Sequence, residues 1–366
     1  MKYFLPTKII AGTNCIINNA SEFSLLGTNA CIITGCHSAK ENGSLRDVTS
    51  ALKATKISYT IYDKVPSDPS IEFVYAAAKA VSKTGADFII GIGGGSALDA
   101  AKAITVLAVN AIDETTLFSG NYPNPVLPLA AVPTTAGTGS EVTEYSILTN
   151  DGKETKTSIA NTLLFPKVAF LDESYTLALP KKITINTAID TLSHAMEGYL
   201  SVNATVFSNT FAEQALRLLA GILPRLTMPV ITSDMRKDLL YASTMSGIVI
   251  ANTATTLVHA MGYSLTYYKH MAHGRANGLL LTAYLRLLDQ QYHVKVQYLL
   301  CLLNLPTIDA FETLMHQLLG TPENITASEI TLYSDKALQS WNIHNTLVPV
   351  DAKQISILYE QSLHLV

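Results

Sequence analysis

Apolar positions along the chain follow two rhythms. Up to about Leu179, short runs of apolar or β-branched residues (30–34, 59–62, 88–92, 128–132 and 168–171) alternate with segments of helical spacing (46–54, 71–84 and 97–109). Strands separated by helices of this length predict βαβ units and a parallel sheet covered on both faces. From Lys181 onward, apolar residues recur at helical intervals, as in FAEQALRLLAGIL and MHQLLG, and convincing strand patterns disappear. The expected division is an α/β domain over 1–180 and an all-helical domain over 181–366.

Composition narrows the class. The 366 residues carry 25 Lys and Arg against 29 Asp and Glu, a net charge of −4, and only 15% of the chain is charged while 48% is hydrophobic. A disordered chain is excluded, because such chains are polar and lack a core. A phosphate-backbone binder needs a field of basic residues, so no nucleic-acid partner is expected. Mean hydropathy is +0.25, yet stretches such as VLPLAAVP and FIIGIGGG are far shorter than the roughly 20 residues a spanning helix needs, so no membrane partner is expected either. Low charge with ample apolar residues fits extensive burial, subunit contacts included, and predicts a homodimer or larger homo-oligomer. The opening MKYFLPTKIIAG places Pro6 and Lys8 where a signal peptide needs an unbroken apolar stretch. Cys15, Cys31, Cys36 and Cys301 form no CxxC pair; reduced thiols in a cytoplasmic protein are expected.

Two loops and one constellation carry the chemistry. DFIIGIGGGSALDAAKAITVLAV runs from a strand through glycines into an Ala-rich helix. Glycine lets the backbone turn and lie against a ligand. Ser96 is read as the N-cap, and the helix N-terminus suits a pyrophosphate. AVPTTAGTGSEVTEYS follows another apolar run and gathers Thr134, Thr135, Thr138, Ser140 and Thr143. That is more hydroxyl than one cap requires, and it fits a polar wall around a sugar or an amide. In NTAIDTLSHAMEGYL, Asp190 and His194 lie four apart on one helix face. TTLVHAMGYSLTYYKHMAHGRANG adds His259, His270 and His273. Imidazoles with one carboxylate suit Fe(II) or Zn(II) rather than Ca(II) or Mg(II). His37, His293, His316, His344 and His364 read as ordinary surface or packing residues.

The segments GGGSALDAAK, PTTAGTGSEVT, LDESYTLALP, DTLSHAMEGY and HAMGYSLTYYKHMAHGRAN, in this order and spacing, resemble the iron-containing (group III) alcohol dehydrogenases. The resemblance implies a dehydroquinate-synthase-like architecture, with a Rossmann-like dinucleotide-binding domain, a helical metal-binding and catalytic domain, and the site in the cleft between. It implies Asp190, His194, His259 and His273 as metal ligands, with Fe(II) the expected ion and Zn(II) the other candidate. It assigns Gly94, Gly95, Ser96 and Asp99 to the pyrophosphate and Thr134, Thr135 and Thr143 to the nicotinamide ribose and phosphates, with Thr138 in the same loop. Lys156 falls where the family keeps a cofactor-contacting lysine, and Asp68 where many members have Asn.

Two positions depart from the family pattern. NAD-preferring members often carry, after the second strand, an Asp that repels a 2′-phosphate; here that position is Gly35, and Ser38 and Lys40 stand ready to hold a phosphate. NADP(H) preference over NAD(H) is therefore expected. Tyr263 stands where several members have a His, so His270, Tyr263 itself or cofactor hydroxyls must carry the proton. The expected reaction is hydride transfer between the cofactor and a small uncharged primary alcohol or aldehyde. A polyol dehydrogenase of the glycerol or 1,3-propanediol type is the nearest alternative. A dehydroquinate-synthase-like lyase is disfavoured because only Lys269 and Arg275 are basic in the second metal segment, and a non-catalytic nucleotide-binding protein because no ligand or loop glycine is missing.

Overall fold

The computed structural model describes residues 3–366. The chain divides into two compact units, Leu5–Leu179 and Pro180–Val366, the latter joined by the described residues ahead of Leu5.

The first unit is built on a six-stranded, all-parallel sheet: β1 (Lys8–Ala11), β2 (Asn29–Gly35), β3 (Ser58–Val65), β4 (Phe88–Gly93), β5 (Leu129–Pro133) and β8 (Val168–Leu171), in the order β1-β8-β5-β4-β2-β3. Every residue of β4 and β5 is buried, as strands covered on both faces require. β2 shows the alternation directly: Cys31 and Ile33 join the core beneath the helices Ile71–Val81 and Gly95–Leu107, while Ala30 and Ile32 join the core beneath the helix Ser44–Ala54. The chain runs outward from β2 to β3 and returns to β4 on β2's other side, so the strand order reverses between β2 and β4. Ligands of open α/β sheets bind outside the carboxyl ends of the strands at such a point. Thr34 is in register with Ile92, which sets the turns after Gly35 and Gly93 side by side.

Three elements differ from the sequence expectation. The helix after β4 begins at Gly95, with Gly94 as the extended N-cap; Ser96 lies inside the first turn, and its hydroxyl accepts the backbone N–H of Asp68 (3.1 Å). β1 is too short to read as a strand from its four residues. An antiparallel ribbon, β6 (Tyr145–Asn150) with β7 (Thr155–Ala160), lies outside the sheet and carries too much Thr, Ser and Lys to stand out.

The helix Gly95–Leu107 is buried along nearly its whole length, Lys102 included. The Lys102 ammonium donates to Ser140 Oγ (2.8 Å), Thr143 Oγ1 (3.0 Å) and the Tyr145 carbonyl (2.7 Å). Asp99, one turn earlier, accepts from Ser140 Oγ (2.6 Å) and the Ile147 N–H (3.1 Å). Burial pulls the Lys102 ammonium down to about 8, against the neighbouring carboxylate charge of Asp99. These bonds tie the helix to the 134–143 loop and to β6.

The second unit is helical: Lys181–Tyr199, Val206–Ile222, Ser233–Thr253, Leu257–Tyr268, His273–Leu302, Ile308–Leu319, Ala327–Leu338 and Ala352–Ser362. Among its described residues, strands are confined to a two-residue pair, β9 (Asn324–Ile325) with β10 (His364–Leu365). Side-chain caps open most of these helices, with capping boxes at Thr205/Ser208, Thr326/Glu329 and Asp351/Gln354. The Lys181–Tyr199 helix is buried from Ala188 to Tyr199 although it carries Asp190, Thr191, Ser193, His194 and Glu197. A buried helix this polar must satisfy those groups within the protein.

Lys102→Met should lower the stability of the first unit by about 3–5 kcal/mol, since it strands the buried Asp99 carboxylate. An unchanged urea midpoint would show that the pair carries no net weight.

Candidate metal centre and cofactor loops

Three helices bring four side chains together. Asp190 and His194 come from the interior of Lys181–Tyr199, His259 from the first turn of Leu257–Tyr268, and His273 from the first residue of His273–Leu302. Gly274 permits the approach: a Cβ there would overlap the Asn186 carbonyl oxygen and lie 3.0 Å from Asp190 Cβ. One donor atom from each of Asp190, His259 and His273 lies within 4.8 Å of the others. His259 Nε2 is 3.0 Å from His194 Nε2 and 4.0 Å from Asp190 Oδ1, and His273 Nε2 is 3.8 Å from that same oxygen. Ligands about 2.1 Å from a tetrahedral ion sit roughly 3.4 Å apart, so these separations bracket what a transition-metal ion needs.

The donor chemistry fits a cation as well. Asn277 Nδ2 lies 3.2 Å from each of Asp190 Oδ1, His259 Nε2 and His273 Nε2. Its two hydrogens cannot serve all three partners at once, and its Oδ1 is buried without a partner. With the two imidazoles neutral and their Nε2 lone pairs facing inward, a divalent ion would meet the carboxylate and both rings.

Burial alone would raise the Asp190 carboxyl, but the charges of His194, His273 and His259 hold it below its ordinary value. Glu197 is likewise held down against burial by His259 and by Thr256. His259, although desolvation pulls the other way, is raised by Glu197 and Asp190. Neither Glu197 nor Asn277 was singled out from the sequence. The signal was available: Glu197 follows His194 by three residues and Asn277 follows His273 by four, so each shares a helix face with a ligand.

Of the two proton-relay candidates, Tyr263 stacks on His273 (ring centroids 5.7 Å apart) and meets His259 edge-on at 6.3 Å. His270 is exposed and holds a left-handed backbone (φ 49°) in the turn ahead of the His273 helix.

In the first unit the two loops abut. Gly93 has φ +149°, open to glycine, and a Cβ there would lie 2.6 Å from Ala97 Cβ. Thr135 and Thr138 pack against Gly94 and Gly95, and the Thr134 N–H donates to the Gly93 carbonyl (2.9 Å). Asp68, with φ 52°, accepts from Lys156 Nζ (2.5 Å) and stands on Ser96. Gly94, Gly95, Ser96, Thr135 and Thr138 are partly exposed, whereas Asp99, Thr134 and Thr143 are buried, with Asp99 and Thr143 committed to the Lys102 network. Ser38 and Lys40 are exposed beyond Gly35, and Lys40 Nζ pairs with Asp63 of β3 at 2.5 Å.

Metal ligation needs neutral imidazole, so a bound ion displaces the proton that His259 holds more tightly than free imidazole does. Apparent Zn(II) affinity should therefore rise from about pH 6 to about pH 8, through and above the ordinary histidine range. Chelator competition checks this; an affinity flat across that interval would contradict it.

The family model for iron-containing alcohol dehydrogenases matches residues 6–173, and the model for the C-terminal region of the same family matches residues 184–363. The chain is 33% identical over 276 residues to sulfoacetaldehyde reductase of Bilophila wadsworthia (75% of this chain, 71% of that one). It is 35% identical over 281 residues to the probable alcohol dehydrogenase EutG of Salmonella typhimurium (76% and 71%). An iron-containing alcohol dehydrogenase of Thermotoga maritima superposes with a TM-score of 0.92 at 33% identity, covering 99% of both chains. A glycine loop at the sheet's switch point with a hydroxyl-rich loop beside it, Asp190, His259 and His273 within 4.8 Å of one another with His194 against His259, and these matches along the chain have one reading: the protein belongs to the iron-containing alcohol dehydrogenase family.

Proposed function

We propose that this oxidoreductase reduces small uncharged aldehydes, and oxidises the matching primary alcohols, with NADP(H) in preference to NAD(H) and with Fe(II) held by Asp190, His194, His259 and His273. The convergence of those four donor groups carries the reading. When bound, the metal polarises the substrate oxygen and the nicotinamide exchanges hydride with the substrate carbon. Glu197 holds His259 through its Nδ1, and Asn277 holds the carboxylate and two rings together. Gly94, Gly95 and Ser96 offer the helix N-terminus to a pyrophosphate, and Thr135 and Thr138 line the loop beside it. Lys156 pairs with Asp68 and donates to the Thr149 hydroxyl, and the Asp68 N–H in turn rests on Ser96 at the start of that helix. Tyr263, whose ring packs against His259 and His273, is our first candidate to share a proton with substrate; His270, exposed on its turn, is the other.

The choice of an uncharged substrate is supported by what the basic residues do. Arg275 binds Glu323 through two nitrogens (2.7 and 3.1 Å), and Lys269 binds Glu329 (2.7 Å). Both are committed to carboxylates, leaving neither for a carboxylate, sulfonate or phosphate on the substrate. The 1-propanol dehydrogenases of Citrobacter freundii and Salmonella typhimurium, 34% identical to this chain, point the same way. NADP(H) preference is supported by Gly35, where no carboxylate opposes a 2′-phosphate. The Lys40–Asp63 pair is half exposed on the lysine side; exposed pairs are worth about 1 kcal/mol or less, so a phosphate dianion can displace Asp63. Four free cysteines, two of them exposed, support a reducing, cytoplasmic setting. Exposed Val206 and Phe207 support a homo-oligomer.

The test is steady-state reduction of propanal and butanal with NADPH and NADH in parallel, on protein reconstituted anaerobically with Fe(II). Faster turnover with NADPH is expected. Gly35→Asp, whose Cβ would stand 3.4 Å from the Val65 carbonyl and so fits, should shift the preference toward NADH. An unchanged cofactor ratio in that variant would refute the reading of the Gly35 turn.

A further inference from the structure

We propose that Glu197 is the positioning residue of the metal centre, setting the tautomer of His259 and supplying the second negative charge that balances a divalent ion. The proposal rests on the reading of Asp190, His194, His259 and His273 as the ligand set.

Glu197 stands one turn beyond His194 on the Lys181–Tyr199 helix, and its side chain is 0% exposed. Oε1 accepts from the Thr256 N–H (2.9 Å), the Thr256 hydroxyl (2.7 Å) and the His259 N–H (3.3 Å), and Oε2 bonds His259 Nδ1. The carboxylate is locked by partners on both oxygens. Thr256 precedes the Leu257–Tyr268 helix, and no side chain of its own caps that helix. Glu197 thus caps it from a different helix, and the free N–H groups and positive dipole end stabilise the anion. That is how a carboxylate can be ionised here without a Lys or Arg beside it.

Two consequences follow for the ion. An ionised carboxylate only accepts, so the bond to Glu197 places the ring proton on Nδ1 and turns the Nε2 lone pair toward His194 and Asp190. Without it, the ring is free to present Nε2–H to the cation. Charge is the second consequence. Asp190 alone would leave a divalent ion with a buried excess of 2 − 1 = +1; Asp190 and Glu197 together bring the centre to zero.

A helix-capping role alone would affect stability and leave the metal untouched, so the test reads the metal and the ring. Glu197→Gln keeps the volume and an oxygen acceptor but loses the charge and faces N–H donors with an NH2 group. Zn(II) affinity by chelator competition should fall about 10- to 100-fold, while circular dichroism remains that of the parent. Wild-type affinity in a folded Glu197→Gln protein would overturn the proposal; no Zn(II) binding by the wild type would overturn the ligand assignment instead. If the variant does not fold, wild-type protein with 15N-labelled histidine decides. In the metal-free protein, at alkaline pH where the ring is neutral, His259, assigned by the loss of its signal in His259→Asn, should carry its proton on Nδ1. A proton on Nε2 would overturn the proposal.

Discussion

A charge taken out of water must be matched where it is buried, and the helical unit is arranged around that requirement. Asp190, His194, Glu197 and His259 are buried, and the side chains that meet them besides one another and His273 are neutral, Thr256 at Glu197 and Asn277 at Asp190 and His259. The groups therefore answer one another: the imidazoles pull both carboxyls below their ordinary range and the carboxylates pull His259 above its own, each against desolvation, and Thr256 completes the support of Glu197. Two of the close approaches in this unit serve the cluster. Gly274 lets the His273 helix reach Asp190, and Gly262 leaves room for the Asn277 amide.

The α/β unit meets the same constraint differently. Lys102 and Asp99 are both buried, and their partners are hydroxyls and backbone groups of the 140–147 segment rather than solvent. The charged network fixes the polar loop from beneath, while Thr135 and Thr138 meet the glycines above it. Residues that resemble cofactor contacts by motif thus divide into those at the loop's accessible edge and those that hold the loop in place. A motif names both kinds alike; burial and bond partners separate them.

Much of the fold was legible in the chain because buried parallel strands and Ala-rich helices leave a strong apolar rhythm. All five strands read from that rhythm exist, with ends moved by up to three residues, and so do the three helices between them. β1 and the β6–β7 ribbon were not legible: the first has four residues, and the ribbon is half polar and outside the sheet. Ser96 reads as a cap because a serine after glycines usually is one; here Gly94 fills that position and the hydroxyl serves Asp68 instead. In the metal centre, ligand-type residues stand out by chemistry alone. Glu197 and Asn277 do not, because their meaning lies in contacts across 62 and 87 positions of sequence, which spacing on one helix cannot display. The Lys40–Asp63 pair escapes notice for the same reason.

The central claim is that one divalent ion, held by Asp190 and three imidazoles, is required for alcohol and aldehyde oxidoreduction. The most direct measurement is an anaerobic titration of metal-free protein with Fe(II), following butanal reduction after each addition, with His259→Ala treated identically. Activity should be absent at the start, rise linearly and level off at one equivalent per chain, while the variant stays inactive yet still binds NADPH, whose loops lie in the other unit. Turnover by the metal-free protein, or by the variant, would contradict the account.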